Sequence, residues 1–301
     1  MSSHPKKHHF VPQFLLHRFS GPGGQLIVHQ YMHGRQFTSS VINVGHRKYG
    51  HSLYWPGREP DHSSMESAMA AIEGEAATAV KRLAVGRHRA VPDEVRRPLA
   101  WLIALQYQRS RFLMHILASK VRAKDVGLSD EEIQTGLMTH LNAAVLHPWR
   151  LRGDHDAEFK DRWNALVALL LMGTHWSCYR PQQGGLLVGD NLVCLSGSTG
   201  STSQDIPRAF LDHGIGVGLE NFRRVTVPLG DDLALIVSRV AQDASRLDVA
   251  SLNRFTVFNS REFIAHSPTW AEEHPALASD LQSSLQRQRL VAPAFLENYS
   301  G

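Results

Sequence analysis

Two adjacent histidines, His8 and His9, stand in the stretch Lys6-Lys7-His8-His9-Phe10-Val11-Pro12-Gln13-Phe14-Leu15-Leu16. An imidazole held rigidly is suited to ligating a metal or to taking a proton near neutral pH. Pro12 fixes its own φ and restricts Val11 to extended backbone. Phe14, Leu15 and Leu16 then offer an apolar anchor. In extended backbone, neighbouring side chains point to opposite faces, so only one of the two imidazoles enters a given site. His9, nearer the Pro12 turn, is the stronger choice for a ligand or base. The plainer alternative is a terminal segment whose histidines cap a helix or meet solvent.

Carboxylates that could meet this imidazole lie on a helix. Glu66 and Glu73 are seven residues apart and share a face with Met69 and Ala70, an unusual setting for acids directed at solvent. Two such carboxylates can hold a hard divalent ion or position a water. Glu75 is better read as a surface acid paired with Lys81 or Arg82. Gln106 and Arg109, three apart in an apolar helix, face either an anionic ligand or a glutamate of the preceding helix. Asp190 and Asn191 follow the apolar run Leu186-Leu187-Val188, where an active-site carboxylate or a plain Asx turn would equally belong. Asn253 either reaches the same centre or caps local backbone. Ser196-Gly197-Ser198-Thr199-Gly200 lacks the Lys-Ser/Thr ending of a phosphate-binding P-loop.

These residues must be positioned by elements that the sequence outlines. Gln25 to Tyr31 and Gln36 to Val44 read as strands around a turn at His33-Gly34-Arg35. A helix is expected from Asp61 or Ser63 to Gly86, carrying Met65, Met69, Ile72, Ala76, Val80 and Leu83 at helical spacing. Pro92-Asp93-Glu94 opens a second, expected to run to about Lys120. A third is expected from Ser129 to Leu141 and a fourth, almost wholly apolar, from Asp161 to Gly173. Strands are expected at Trp176–Tyr179 and Gly185–Asn191, then a flexible loop from Ser196 to Gln204. Arg224–Leu229 and Leu233–Ser238 form a hairpin. Helices are expected at Val249–Ala265 and Glu272–Leu290. The pattern implies one α+β domain over residues 1–301, with a core of about 6–267 and a helical tail over 268–301. Its helical bundle is expected to be central, flanked by N- and C-terminal β segments joined in one mixed, mainly antiparallel sheet.

Composition sets the outer bounds. The 301 residues are 43 % hydrophobic and 20 % charged, with a formal charge of +4, a pI near 9.2 and 18 histidines. The mild basic surplus permits a DNA or RNA partner without demanding one. Only Cys178 and Cys194 are present, so a zinc ribbon is excluded and both read as core residues of a reduced protein. The start lacks the apolar run of a signal peptide, and the longest aliphatic run is far too short to cross a bilayer. The expectation is a cytoplasmic protein with no membrane partner.

The segment from Lys7 to Phe19 resembles the opening of the bacterial family known as domain of unknown function 4238. Met65-Glu66 through Ile72-Glu73, the Ile103–Arg109 run with Gln106 and Arg109, Leu187-Val188-Gly189-Asp190-Asn191, and Leu252-Asn253 match it in order. The resemblance spans roughly residues 6 to 267. It departs at Leu192, where the family has proline, and at Ser110-Arg111, where it has Thr-Pro; the Asp190 turn is therefore expected to be looser. The resemblance implies a shared polar centre and no particular reaction. The opening pair is also similar to the His-His-x-x-Pro start of some toxin nucleases of the HNH type, although no Asn-His ligand pattern follows. The reading is a metal-dependent nuclease of a bacterial defence or toxin type, with Mg²⁺, Mn²⁺ or Zn²⁺ held by His9, Glu66, Glu73 and Asp190. In it, His8 or His9, Gln106 and Arg109 serve the chemistry, and Asn191 and Asn253 complete the polar centre. The alternative is a non-enzymatic nucleic-acid-binding or regulatory protein in which these groups satisfy one another. A third possibility is hydrolysis of a small nucleotide.

Overall fold

The computed structural model describes residues 7–30, 33–54, 57–86, 89–110, 165–197, 217–241 and 247–298, with short stretches between 117 and 141. Strands β1 (Lys7–His9), β2 (Gln25–Gln30), β3 (Arg35–Ser40) and β4 (His46–Lys48) form the N-terminal part, with the short helix α1 (Gln13–Leu16) after β1. Helices α2 (Ser64–Val85) and α3 (Asp93–Gln108) follow. Then come β5 (His175–Tyr179), β6 (Val188–Gly189), β7 (Cys194–Gly197), β8 (Phe222–Gly230) and β9 (Leu233–Ser238). Helix α4 (Val249–Asn259), strand β10 (Ile264–His266), and helices α5 (Trp270–Glu273) and α6 (Pro275–Asn298) close the chain.

The fold is α+β, and every strand pairing among the described residues is antiparallel. Among the described residues the expected single sheet is instead three: β1 with β4, the order β3-β2-β10-β6, and the order β5-β9-β8-β7. Strand β10 inserts between β2 and β6 and so joins the C-terminal part to the N-terminal hairpin. A continuous helix over Val249–Ala265 had been expected there. It ends at Asn259, and Asp190 captures the next three residues (below). The expected strand from Gly185 to Asn191 shrinks to two residues, where a Cβ on Gly189 would collide with Ser260 Oγ. Helix α3 stops at Gln108 rather than near Lys120. Arg109 leaves helical geometry, and Ser110 N closes a tight last turn on the Tyr107 carbonyl. The part of the Ser196–Gln204 loop beyond Gly197 lies outside the described residues, whereas Ser196 and Gly197 belong to β7.

Helix α2 organises the site. Asp61 Oδ1 accepts from the amides of Ser63 and Ser64 and caps its start. One stripe, Met65, Met69, Ile72, Ala76, Ala79, Val80 and Leu83, is buried against the core that includes Leu15, Leu16, Leu99, Leu102 and Ile103 of α1 and α3. Burying each large side chain of such a stripe contributes about 1.5–3 kcal/mol. The neighbouring stripe, Glu66, Ala70, Glu73, Gly74 and Ala77, borders an open pocket. Helix α6 packs its Leu281 and Leu285 with Leu187, Val257, Ile264 and Trp270. Among the described residues, no helix is long and apolar enough to cross a membrane.

Candidate functional site

Strand β1 pairs with β4 so that His8 stands opposite Arg47 and His9 opposite His46. The alternation sends the two imidazoles to opposite sides. His8 turns inward and is fully buried. Its Nδ1 accepts from the backbone amide of His51 at 2.9 Å, and its ring stacks on that of His51 at 5.4 Å. His51 Nδ1 in turn donates to Glu66 Oε1 at 2.6 Å, and His8 Nδ1 lies 3.7 Å from the same oxygen. The donor atoms of His8, His51 and Glu66 all lie within 4.8 Å of one another.

A strained turn brings His51 here. Tyr49 is the one non-glycine residue at positive φ (55°) among the described residues. That conformation is costly for a bulky side chain and persists where its surroundings enforce it. Tyr49 stacks on His62 at 4.5 Å and meets the edge of His8 at 6.2 Å, while its carbonyl accepts from Ser52 N. Ser52 Oγ and His62 Nδ1 are 2.5 Å apart. No periodicity marks residues 49–54, so His51 was not found by sequence reasoning. Its only signal was that it is one more histidine in a chain rich in them.

His9 faces the other way, into the pocket of about 380 Å³ lined by Gln13, Phe14, Glu66, Met69 and Glu73 among others. The Ile42 carbonyl fixes its proton on Nε2 (3.1 Å), and Nδ1 accepts from Gln13 Nε2 (3.1 Å). Both nitrogens are thus engaged, and His9 is a wall of the pocket. Burial, then the nearby His46 and Lys7, lower its pKa against the pull of Ile42 and Glu66.

Glu73 accepts from Arg109 Nη2 at 2.8 Å, and Arg109 Nη1 points at Met69 Sδ at 2.8 Å. The neighbours orient the Gln106 amide so that its nitrogen donates to the Phe10 carbonyl (2.9 Å) and its oxygen accepts from Arg109 Nη2. Arg109 is 8 % exposed. It is therefore committed to Glu73 and Gln106 and is not presented to a phosphate. Of the two roles open to it, pairing with a glutamate of the preceding helix is the one found. Burial raises the Glu73 pKa against the attraction of Arg109. Burial also pushes Glu66 upward, but the bond from His51 and the charges of His51, His8 and Arg109 hold it below the ordinary carboxylate value. Burial drives His51 down to about 4 despite that same bond.

The remaining sequence-selected residues sit elsewhere. Asp190 is 3 % exposed, and its Oδ1 accepts from the amides of Arg261, Glu262 and Phe263 at 2.8, 2.9 and 3.1 Å. It fastens the link between α4 and β10, and it does not belong to the His8–His51–Glu66 group. Leu192, where the family has proline, is buried in the core. Burial, outweighing these three bonds, raises Asp190 to about 6. Asn191 is buried beside it, with Oδ1 lacking a partner among the described residues. Asn253 accepts from Leu187 N (3.0 Å) and donates to the Gly185 carbonyl (2.8 Å), which pins the approach to β6 against α4.

Two imidazoles and a carboxylate are the donor set of a site with three protein ligands and an open position. Tetrahedral ligands about 2.0–2.1 Å from a zinc ion lie about 3.3 Å apart; the two distances to Glu66, 2.6 and 3.7 Å, bracket that spacing, and the two imidazole donor atoms lie within 4.8 Å of each other. An ion entering here would replace the proton between His51 and Glu66 and the amide contact to His8.

A family profile, Protein of unknown function (DUF4238), matches residues 7–269. The chain belongs to this family. No curated protein and no solved structure matches it. The matched residues run from β1 past β10 to Thr269, just before α5, and so include every residue of the cluster and the pocket.

Proposed function

We propose that the chain is a metal-dependent hydrolase of phosphodiester bonds in DNA or RNA, with His8, His51 and Glu66 as ligands to a divalent ion, Zn²⁺ or Mn²⁺ before Mg²⁺. The observation that carries the reading is the convergence of those three donor groups beside an open pocket. The nitrogen donors favour the transition metals over Mg²⁺. A bound ion would supply Lewis-acid polarisation and a lowered water pKa. Glu73, its position fixed by Arg109, lines the pocket beside that ion. Gln106 acts by fixing Arg109. Asp190 and Asn253 hold backbone rather than chemistry. The mild positive charge of the chain is consistent with a nucleic-acid substrate in the cytoplasm. The test is cleavage of single- and double-stranded DNA and RNA with each metal, on wild type and Glu66→Gln. Activity in the wild type falling by at least about 100-fold in the variant supports the reading. Equal activity in both excludes the site.

A second reading has its own support: His8, His51 and Glu66 already satisfy one another. The cluster would then be a buried network in a nucleic-acid-binding or regulatory protein, which binds nucleic acid without cleaving it and is indifferent to metal.

A further inference from the structure

We infer that the pocket beside the cluster receives a nucleobase that presents amino hydrogens: adenine, cytosine or guanine. The inference rests on the nucleic-acid reading above and adds the part of the substrate that the pocket selects.

The two carboxylates in the pocket wall accept rather than donate. Glu66 and Glu73 use Oε1 for His51 and Arg109, and among the described residues neither Oε2 has a hydrogen-bond partner. The His9 proton is spent on Ile42. The rest of the lining is Gln13, whose Nε2 donates to His9, together with Gly74 and the apolar or aromatic Phe14, Met69, Ala70 and Ala77. Carboxylate acceptors match exocyclic amino groups, as Glu and Asp match the cytosine amine. Uracil and thymine would set two carbonyl oxygens against the same carboxylates. Phe14 offers a face or edge for stacking. The volume, about 380 Å³, is more than a simple ammonium group would need.

Gly74 adds an independent observation. It lies mid-helix in α2, where glycine costs about 0.5–1 kcal/mol relative to alanine. A Cβ there would meet nothing within 4 Å, so packing within the protein does not require the glycine. What its absence of a side chain preserves is room in the pocket it lines.

The test is binding of adenosine, cytidine, guanosine and uridine to the full chain in EDTA, by saturation-transfer NMR and equilibrium dialysis, with butylammonium as competitor. Because no metal is present, failure of the hydrolase reading leaves this result standing, and the reverse. The expected result is that amino-bearing nucleosides bind at least about tenfold tighter than uridine. Glu73→Gln, whose amide both donates and accepts, should narrow that preference. Gly74→Leu should abolish binding while the circular dichroism spectrum stays that of the wild type. Gly74→Leu keeps the test decisive even where Glu73→Gln, with Arg109 left uncompensated, fails to fold. No nucleoside binding, equal binding of uridine, unimpaired binding in folded Gly74→Leu, or equal competition by butylammonium would each overturn the inference, the last by marking a plain cation pocket.

Discussion

At the scale of single residues, burial decides which polar groups are free to act. Arg109 and His9 look like catalytic groups in the sequence, and both are spent on neighbours. The spacing of Glu66 and Glu73 was legible because seven residues on a helix must share a face. His51 was not, because a positive-φ turn at Tyr49, and no periodic pattern, delivers it to His8. Asp190 shows the same limit: its type and position marked it as functional, and three backbone amides claim it. It makes a clear prediction. Its folded pKa of about 6 lies above the ordinary 3.8, so the native state favours the protonated form. Its contribution to stability is present below pH 3.8 and is lost as pH rises through 6, a loss of about 3 kcal/mol. Asp190→Asn keeps an acceptor for the three amides and does not titrate. Denaturant unfolding at pH 8 should find it at least as stable as wild type, whereas Asp190→Ala, leaving three donors unpaired, should lose about 1–3 kcal/mol.

At the scale of elements, the sequence pattern located the helices well and their ends poorly. Helix α2 carries a strong apolar stripe and both caps, and it falls where the spacing places it, ending before Gly86. Helix α4 ends six residues before the expected Ala265, because the polar Asn259-Ser260-Arg261-Glu262 separates its apolar face from Phe263, Ile264 and Ala265. The Asp190 clamp and pairing with β2 and β6 make that last run a strand instead. The glycine inside α2 yields a prediction at this scale. With open space around a Cβ and ordinary helical backbone, Gly74→Ala should raise the unfolding free energy by about 0.4–1 kcal/mol. A destabilised variant by thermal or urea unfolding would mean that the helix there tolerates only glycine.

At the scale of the whole molecule, the α+β class was legible but the division of strands among three sheets was not, since local pattern says nothing about which distant strand inserts where. The seam between β2 and β10 carries a buried imidazole pair. His266 Nδ1 donates to the Ser267 carbonyl at 2.8 Å, so its Nε2 accepts from His29 Nε2 at 2.9 Å. Burial, with His266 and Arg289 nearby, lowers His29 to about 4. A histidine lowered in the native state contributes stability that is present above pH 6.5 and is lost as pH falls from 6.5 through 4, by about 3 kcal/mol. This opposes the Asp190 contribution over pH 4 to 6. Melting temperatures of Asp190→Asn should therefore fall more steeply on acidification than those of wild type, and His29→Gln in that background should flatten the slope. An unchanged slope would remove His29 as its cause.

Whether His8, His51 and Glu66 hold a metal ion decides between a hydrolytic centre and a buried network. Calorimetric titration of the full chain with Zn²⁺ and Mn²⁺ at pH 7.5, on wild type, His51→Ala and Glu66→Gln, measures this directly. The expected outcome is one ion bound per chain, with protons released as the ion replaces the proton shared by His51 and Glu66, and loss of that binding in both variants. Absence of binding in the wild type, or equal binding in folded His51→Ala and Glu66→Gln, would contradict the account and leave the cluster as a hydrogen-bonded support for the pocket.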